Sequence, residues 1–493
     1  HAHRRLIRGT LREAWGFGGV VVSDYTGILE LKAHGIAARD AEAVQRALDA
    51  TVDVDMVSGL YLSQLPELMK SAEARPLVDA AVRRVLEAKQ QLGLFDDPYR
   101  KTDIASEKAN ELSAAARALA REAAHESIVL LKNEGGVLPL RKPLGSLAVI
   151  GELAADRAAT LGTWAGAGRA EDTVTVLEGI RRALPDANVM YARGASPESE
   201  LTSGLGEAER VAKGADAVLL VVGETGDMTG EARSRGSIGL PGAQPQLFER
   251  LQKLGKPLVV VLVNGRALAI PQLAEQAAAI LEVWQLGHEM GNAVADVIFG
   301  DVNPSGKLPL TFPRAVGQVP LYYNHKQTGR PAREAERYSS KYVDVPWTPQ
   351  YPFGYGLSYT TFGYEAPQLS AARLGPTDAV SVRVRVKNTG DRAGTEVVQL
   401  YLRDDAATIT RPVRALRGFR RVTLQPGAAA DVQFTLDQDD FALLDENLER
   451  VVEPGTFTVF VGGSSDTTNQ ATFEVTSGAR LQGPGSAIPR ELR

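Results

Sequence analysis

The sequence of 493 residues contains no cysteine. Disulfides, thiolate catalysis and cysteine-ligated zinc are therefore excluded. Histidine is sparse as well: the six stand at positions 1, 3, 34, 125, 288 and 325, and only His1 and His3 lie close together, so no metal-ligand spacing emerges. No apolar run reaches the ~18 residues that span a bilayer. Neither sign of charge dominates, since 55 Lys and Arg against 60 Asp and Glu leave −5. The basic residues are not clustered, which disfavours nucleic acid and anionic membrane surfaces as partners. No internal repeat and no long low-complexity tract is present. A chain without cysteine suits either cytoplasm or periplasm, and because the first residue is His and not Met, the absence of a leader says nothing about export.

What is present is an ordinary globular composition, 44% hydrophobic and 23% charged, at a length that suggests about three domains. Residues 1–104 read as strand–helix units. Gly19–Ser23 and Val52–Val57 are short β-branched runs that end in polar residues, as parallel strands do. Helical spacing follows over Asp40–Ala50, Leu62–Ser71 and Val78–Leu92. This pattern suggests an α/β barrel or open sheet, with functional groups at the C-terminal ends of the strands, where Asp24 and Ser58 stand. The Ala-rich stretch 105–125 predicts one long helix between two domains.

Residues 126–314 predict a second alternating block. Its strands are Ser127–Leu131, Leu147–Ile150, Asn188–Tyr191, Ala217–Val222, Leu258–Val263 and Ala278–Trp284, in a mostly parallel sheet with helices on both faces. Residues 315–361 are rich in Tyr, Pro, Gly and Arg and predict a linker that packs on its neighbours. Residues 362–477 alternate with period two, as in Val380, Val382, Val384 and Val386 and again in Phe457, Val459 and Val461. Turn signals at Asn388-Thr389-Gly390 and Pro426-Gly427 complete the signature of a β-sandwich. The tail, 478–493, predicts weak order.

Two segments carry the chemistry. Val20-Val21-Val22-Ser23-Asp24-Tyr25 is an apolar run ending in a carboxylate, and Gly230-Glu231-Ala232-Arg233-Ser234-Arg235 lies in a polar loop. A rigid carboxylate nucleophile and a second carboxylate brought in on a loop are the parts of a glycosidase. Each residue also has a plainer reading. A strand-end Asp is often a helix cap or turn former. Tyr25 either stacks on a sugar or fills a rim. Glu231 competes with Glu224, which ends the preceding strand, and either is a loop charge open to pairing with Arg233 or Arg235; the residues alone do not choose between them. Gly300–Lys307 imitates a phosphate loop, but five residues separate its glycines and Leu308 follows the Lys, where the motif requires four and then Ser or Thr.

These segments together resemble glycoside hydrolase family 3, most of all its bacterial periplasmic β-glucosidases. Leu11–Phe17 with Val22-Ser23-Asp24 is similar to the family's strand-seven nucleophile segment. Val52–Met56 is similar to strand eight, and Gly93–Tyr99 to the end of the first domain. Glu231–Arg235 with Leu240-Pro241 is similar to the acid/base loop. Asn303–Pro309 and Tyr351–Tyr359 are further family signatures. The resemblance implies a (β/α)8 barrel, an αβα sandwich and a fibronectin type III-like domain, with Asp24 as nucleophile and Glu231 as general acid/base between the first two. It also implies retaining hydrolysis of a terminal β-glucoside or oligosaccharide, and no metal or organic cofactor. Tyr25, Met56 and Ser58 are the candidates for the sugar pocket. A homodimer and a periplasmic or secreted location are expectations from the family alone.

The resemblance implies that the chain starts just before strand seven, so six strand–helix units, on the order of 190 residues, would precede it. Two strands cannot close a barrel. Alternatives are therefore a β-xylosidase of the same family or a non-catalytic carbohydrate-binding remnant. A further departure is Ala50-Thr51, where relatives usually have Ala-Gly, and Thr is expected to strain that turn. The isolated chain is expected to be inactive toward p-nitrophenyl β-D-glucoside, and robust turnover by it would contradict this.

Overall fold

The protein is described here by a computed structural model covering residues 1–100 and 102–483. It divides into two compact units, His1–Ser113 and Ala114–Arg493.

In the first unit the three predicted helices form at Asp40–Asp49, Leu60–Leu68 and Ala74–Gln91. Their apolar residues bury Ile28, Val44, Leu48, Val52 and Tyr61 in one small core. The two expected strands shrink to a single parallel bridge, Val22 to Val54. Around it, Asp53 N–H and Val54 N–H both donate to Val21 O, and Ser23 N–H donates to Val54 O. A parallel ladder becomes regular when it is paired on both sides, and among the described residues each run has only the other. The chain between them turns at Thr51, whose φ is +68°. That is a left-handed conformation which costs a β-branched residue energy, as the unusual Ala50-Thr51 pair led us to expect.

The stretch 105–125, expected as one long helix, forms two, Ile104–Asn110 and Ala114–Ser127. The chain breaks at Glu111, which is extended, and at Leu112, whose φ is +49°. Alanine content favours helix but does not forbid a break.

The second unit holds a six-stranded sheet: β1 (Val129–Asn133), β2 (Ser146–Ile150), β3 (Asn188–Ala192), β4 (Ala217–Gly223), β5 (Leu258–Val263) and β6 (Ala279–Glu282). The order is β1-β6-β5-β4-β2-β3, parallel throughout except for β1, which runs antiparallel to β6. Every residue of β4, β5 and β6 is buried, because helices cover both faces. Ala114–Ser127, Val176–Ala183 and Met290–Phe299 pack on one face; Leu205–Lys213, Gln244–Gln252 and Pro271–Gln276 pack on the other. Gly179 and Gly291 set the closest helix approach, since a Cβ on either would lie 1.9 Å from a backbone oxygen of the partner segment. Asp296 ties the first helix to the last: Arg121 Nε (2.6 Å) and Nη2 (2.5 Å) and His125 Nε2 (2.6 Å) converge on its carboxylate. Burial opposes its ionisation, but the hydrogen bonds from His125 and Arg121 outweigh burial and hold this carboxyl below its ordinary range.

A β-sandwich follows. Val380–Asn388 pairs with Ala429–Leu436 and Phe362–Tyr364, and Gly394–Asp404 pairs with Ala415–Leu424 and Gly455–Gly462. Val380, Val382, Val384 and Val386 face its core at 1% exposure or less. The segment before it is irregular. Tyr351 and Tyr355 stack at 5.3 Å, and Tyr355 and Tyr359 donate to Leu131 O and Val297 O. This is the packing expected there, although Tyr338 and Val343 in the same stretch are exposed. Gly300–Lys307, the phosphate-loop look-alike, begins as a left-handed helix cap at Gly300. It ends with Lys307 paired to Glu396 of the sandwich at 3.0 Å. The tail departs from its expected disorder at Ala479–Arg480, which pairs with Val451 and Val452; the stretch from 484 onward lies outside the described residues.

Thr51→Gly is expected to raise stability by about 0.5–1 kcal/mol, because glycine relieves the positive φ. Urea unfolding measures this. A loss of stability would mean that the 3.2 Å bond from Arg12 Nε to Thr51 Oγ1 outweighs the backbone strain.

Candidate active site

Asp24 in the first unit is exposed, and its backbone is fixed by buried neighbours. Ser23, 2% exposed, accepts from Met56 N–H at 2.8 Å and donates to Asp24 O at 2.9 Å. One carboxylate oxygen, Oδ1, accepts from Tyr25 N–H at 2.8 Å, and Oδ2 has no hydrogen-bond partner among the described residues. Beneath this segment lies Asp53, whose side chain is fully buried. Arg12 Nη2 reaches Asp53 Oδ2 at 2.6 Å, and Arg84 Nε and Nη2 reach Oδ1 at 2.9 and 2.7 Å. Val21 N–H also donates to Oδ2 at 2.9 Å. The carboxylate thus pins the chain three residues before Asp24. Tyr25 and Met56 are exposed, at 64% and 40%. Ser58 is engaged: its hydroxyl donates to Asp55 Oδ1 at 2.5 Å, so it braces the start of the helix Leu60–Leu68.

In the second unit the parallel strands end along one edge, with Glu224 just after β4, Asn264 after β5 and Glu282 closing β6. Ligands of such sheets bind outside this edge, where the strand order reverses; here the reversal falls between β2 and β4. The side chain of Glu224 is fully buried and lies between two guanidinium groups, Arg235 at 2.6 Å and Arg266 at 3.0 Å. Both arginines also hold backbone. Arg235 Nη2 donates to Gly239 O at 3.2 Å, and Arg266 Nη2 donates to Met228 O and Arg233 O. Thr163 Oγ1 lies within hydrogen-bond distance of both Gly226 O and Thr229 O and donates its one proton to this pair. The loop 225–240 is therefore tied down at both ends. At its crest Glu231 is exposed, with no hydrogen bond or ion pair among the described residues. It stands between Gly230 at φ +98° and Ala232 at φ +57°. A Cβ at Gly230 would lie 2.7 Å from Thr163 Cγ2, so only glycine fits there. A non-glycine at positive φ marks stored strain, which concentrates at functional sites.

Glu282 is fully buried as well. It accepts from Trp284 N–H at 3.0 Å and Asn264 Nδ2 at 3.2 Å. Burial raises its carboxyl well above the ordinary range, against those two donors, and the neighbouring Glu224 pushes the same way.

The structure thus separates the two glutamates that the residues alone left open. Glu224 is an internal anchor, the pairing expected of a loop carboxylate, and Glu231 is free. Asp53, Arg12, Arg84 and Arg266 had no role in the sequence reading. The one available signal was an acidic residue inside an apolar run, in Val52-Asp53-Val54.

Residues 1–88 match the glycosyl hydrolase family 3 N-terminal domain, 128–359 its C-terminal domain and 396–465 a fibronectin type III-like domain. The chain is 43% identical to the periplasmic β-glucosidase of Salmonella typhimurium over 95% of its length and 65% of that protein's. It is 40% identical to a β-xylosidase of Formosa agariphila, over 97% of its length and 67% of that protein's. Among solved structures, a β-glucosidase from Listeria innocua in complex with glucose superposes with a TM-score of 0.91 at 39% identity, covering 97% of this chain and 65% of that one. The chain belongs to glycosyl hydrolase family 3. It combines that family's α/β domains with an all-β fibronectin type III-like domain, and it spans about 65% of the length of the Salmonella relative.

Glu224→Ala is expected to destabilise the second unit by about 3–5 kcal/mol, because it strands two guanidiniums in a buried site. Guanidinium unfolding measures the loss, and limited proteolysis should show new cleavage after Arg233 or Arg235. An unchanged unfolding midpoint would contradict the anchoring role.

Proposed function

We propose that the protein is a retaining β-glucosidase that removes terminal β-D-glucosyl residues by double displacement. The observation that carries this reading is the contrast between Glu224, fully buried and paired with two arginines, and Glu231, exposed seven residues later. Of the two glutamates it leaves Glu231 available for proton transfer. Asp24 is the nucleophile: its free Oδ2 attacks the anomeric carbon while Glu231 protonates the departing oxygen. The glucosyl ester on Asp24 is then hydrolysed by water that Glu231 deprotonates. Retention by this route needs the two carboxyl groups about 5–5.5 Å apart around the sugar. Tyr25 and Met56 are exposed beside Asp24 and supply contact surface for the glucose; Ser58 contributes through Asp55 and the turn. We read the domains as 1–104, 105–314, a linker 315–361 and 362–477. A periplasmic location is in keeping with the name of the Salmonella relative.

A second reading, β-xylosidase, is favoured by one observation, the 40% identity to the Formosa agariphila enzyme. The ratio of kcat/KM for p-nitrophenyl β-D-glucoside and β-D-xyloside separates the two. In the full-length protein, Asp24→Asn is expected to lower kcat by about a thousandfold or more. Glu231→Gln should lower it by about a hundredfold or more, and less for aglycones that leave without protonation. Near-normal turnover by Asp24→Asn would overturn the assignment.

A further inference from the structure

The segments 151–175 and 224–243 leave β2 and β4, the two strands between which the sheet order reverses. Ligands of open parallel sheets lie outside that reversal. The two segments meet at Thr163. Its Oγ1 reaches Gly226 O and Thr229 O, and a Cβ on Gly230 would lie 2.7 Å from its Cγ2. Beside this contact Gly226 packs on Gly162, so closely that a Cβ on Gly226 would lie 3.2 Å from the Gly162 carbonyl carbon. Exposed side chains follow on both sides of the contact: Trp164, 74% exposed, after Thr163, and Glu231 after Gly230.

A third exposed group belongs to the same rim. Gly230-Glu231-Ala232-Arg233 closes as a turn, with Arg233 N–H donating to Gly230 O at 3.3 Å. The Arg233 carbonyl is held by Arg266 at 2.8 Å, while its side chain is exposed and folds back over the turn, Nη1 donating to Ala232 O at 3.5 Å. Among the described residues no carboxylate pairs with this guanidinium: neither Glu231 nor Asp227, which is exposed earlier in the loop. Glu224 does not compete for it, because Arg235 and Arg266 already enclose that carboxylate.

A single exposed tryptophan or arginine needs no explanation. Here both stand within two residues of the Thr163–Gly230 contact or of Glu231 itself, and both are open to solvent. The oxygen that Glu231 protonates is that of the leaving group, so side chains on this rim meet the aglycone. An indole face suits a planar ring, and an unpaired guanidinium takes a carboxylate through two parallel hydrogen bonds. We infer that this rim selects β-glucosides whose leaving group is an aromatic ring carrying a carboxylate, with Trp164 against the ring and Arg233 on the carboxylate. The inference rests on the assignment of Glu231 as the general acid.

The test is the specificity of the full-length protein toward p-carboxyphenyl, p-carbamoylphenyl and methyl β-D-glucoside. The first two differ in charge and share their shape; the third has no ring. Arg233→Gln is expected to lower the ratio of kcat/KM for the carboxylate over the carboxamide about threefold at low salt, the worth of an exposed ion pair, and added salt should narrow the difference. Arg233→Glu should lower the ratio further. Trp164→Ala should lower kcat/KM for both aryl glucosides relative to the methyl glucoside about threefold or more. Ratios unchanged in both Arg233 variants, with all three glucosides still hydrolysed, would overturn the proposal, as would an aryl preference that survives Trp164→Ala; the acid assignment would stand. Near-normal hydrolysis of the methyl glucoside by Glu231→Gln would instead remove the acid assignment, and this proposal with it.

Discussion

A buried carboxylate held by two arginines is the constraint on which both candidate catalytic segments depend. In the first unit it is Asp53, bound by Arg12 and Arg84. In the second it is Glu224, bound by Arg235 and Arg266. Burying an ion costs several kcal/mol unless its partners and hydrogen bonds return it, and both sites meet that condition. The consequence is positional. The Asp53 cluster fixes Val21, from which Ser23 and Asp24 follow, and the Glu224 cluster fixes Met228, Arg233 and Gly239, between and around which Glu231 is exposed. An apolar replacement would fill the space but would leave those backbone carbonyls and the arginines unheld.

The sheet strands were legible in the sequence for a physical reason. Val218–Val222 and Leu258–Val263 are continuously apolar because both of their faces are covered. The Val380–Val386 alternation was legible because one face of that strand meets the sandwich core and the other meets solvent. The runs at 19–23 and 52–57 look the same in sequence, yet only one bridge forms, since regular pairing depends on neighbouring strands and not on the run itself. The break at Glu111–Ser113 was invisible because no Pro or Gly marks it. Asp24 and Glu231 were singled out as candidates by motif. The anchors were not, because their roles come from contacts 31 to 42 residues apart in sequence.

Membership of glycosyl hydrolase family 3 gives these observations a common chemistry. A nucleophile needs a rigid seat and an unshared oxygen, and a general acid needs reach and a free carboxyl. Asp24 has a seat fixed by buried neighbours and Glu231 a carboxyl unpaired among the described residues, whereas Glu224 is buried between two arginines. The strained backbone at Ala232 and Trp284, both at positive φ, lies in the loops that leave the same sheet edge. The cost of holding those conformations is carried by the covalent and packed frame around them.

The most direct test of the account is covalent trapping. The full-length protein would be incubated with 2-deoxy-2-fluoro-β-D-glucosyl fluoride, digested and mapped by mass spectrometry. The account predicts a single fluoroglucosyl ester on the peptide that contains Asp24, with none in Asp24→Asn. A label on another carboxylate, or turnover with no trapped ester, would contradict it.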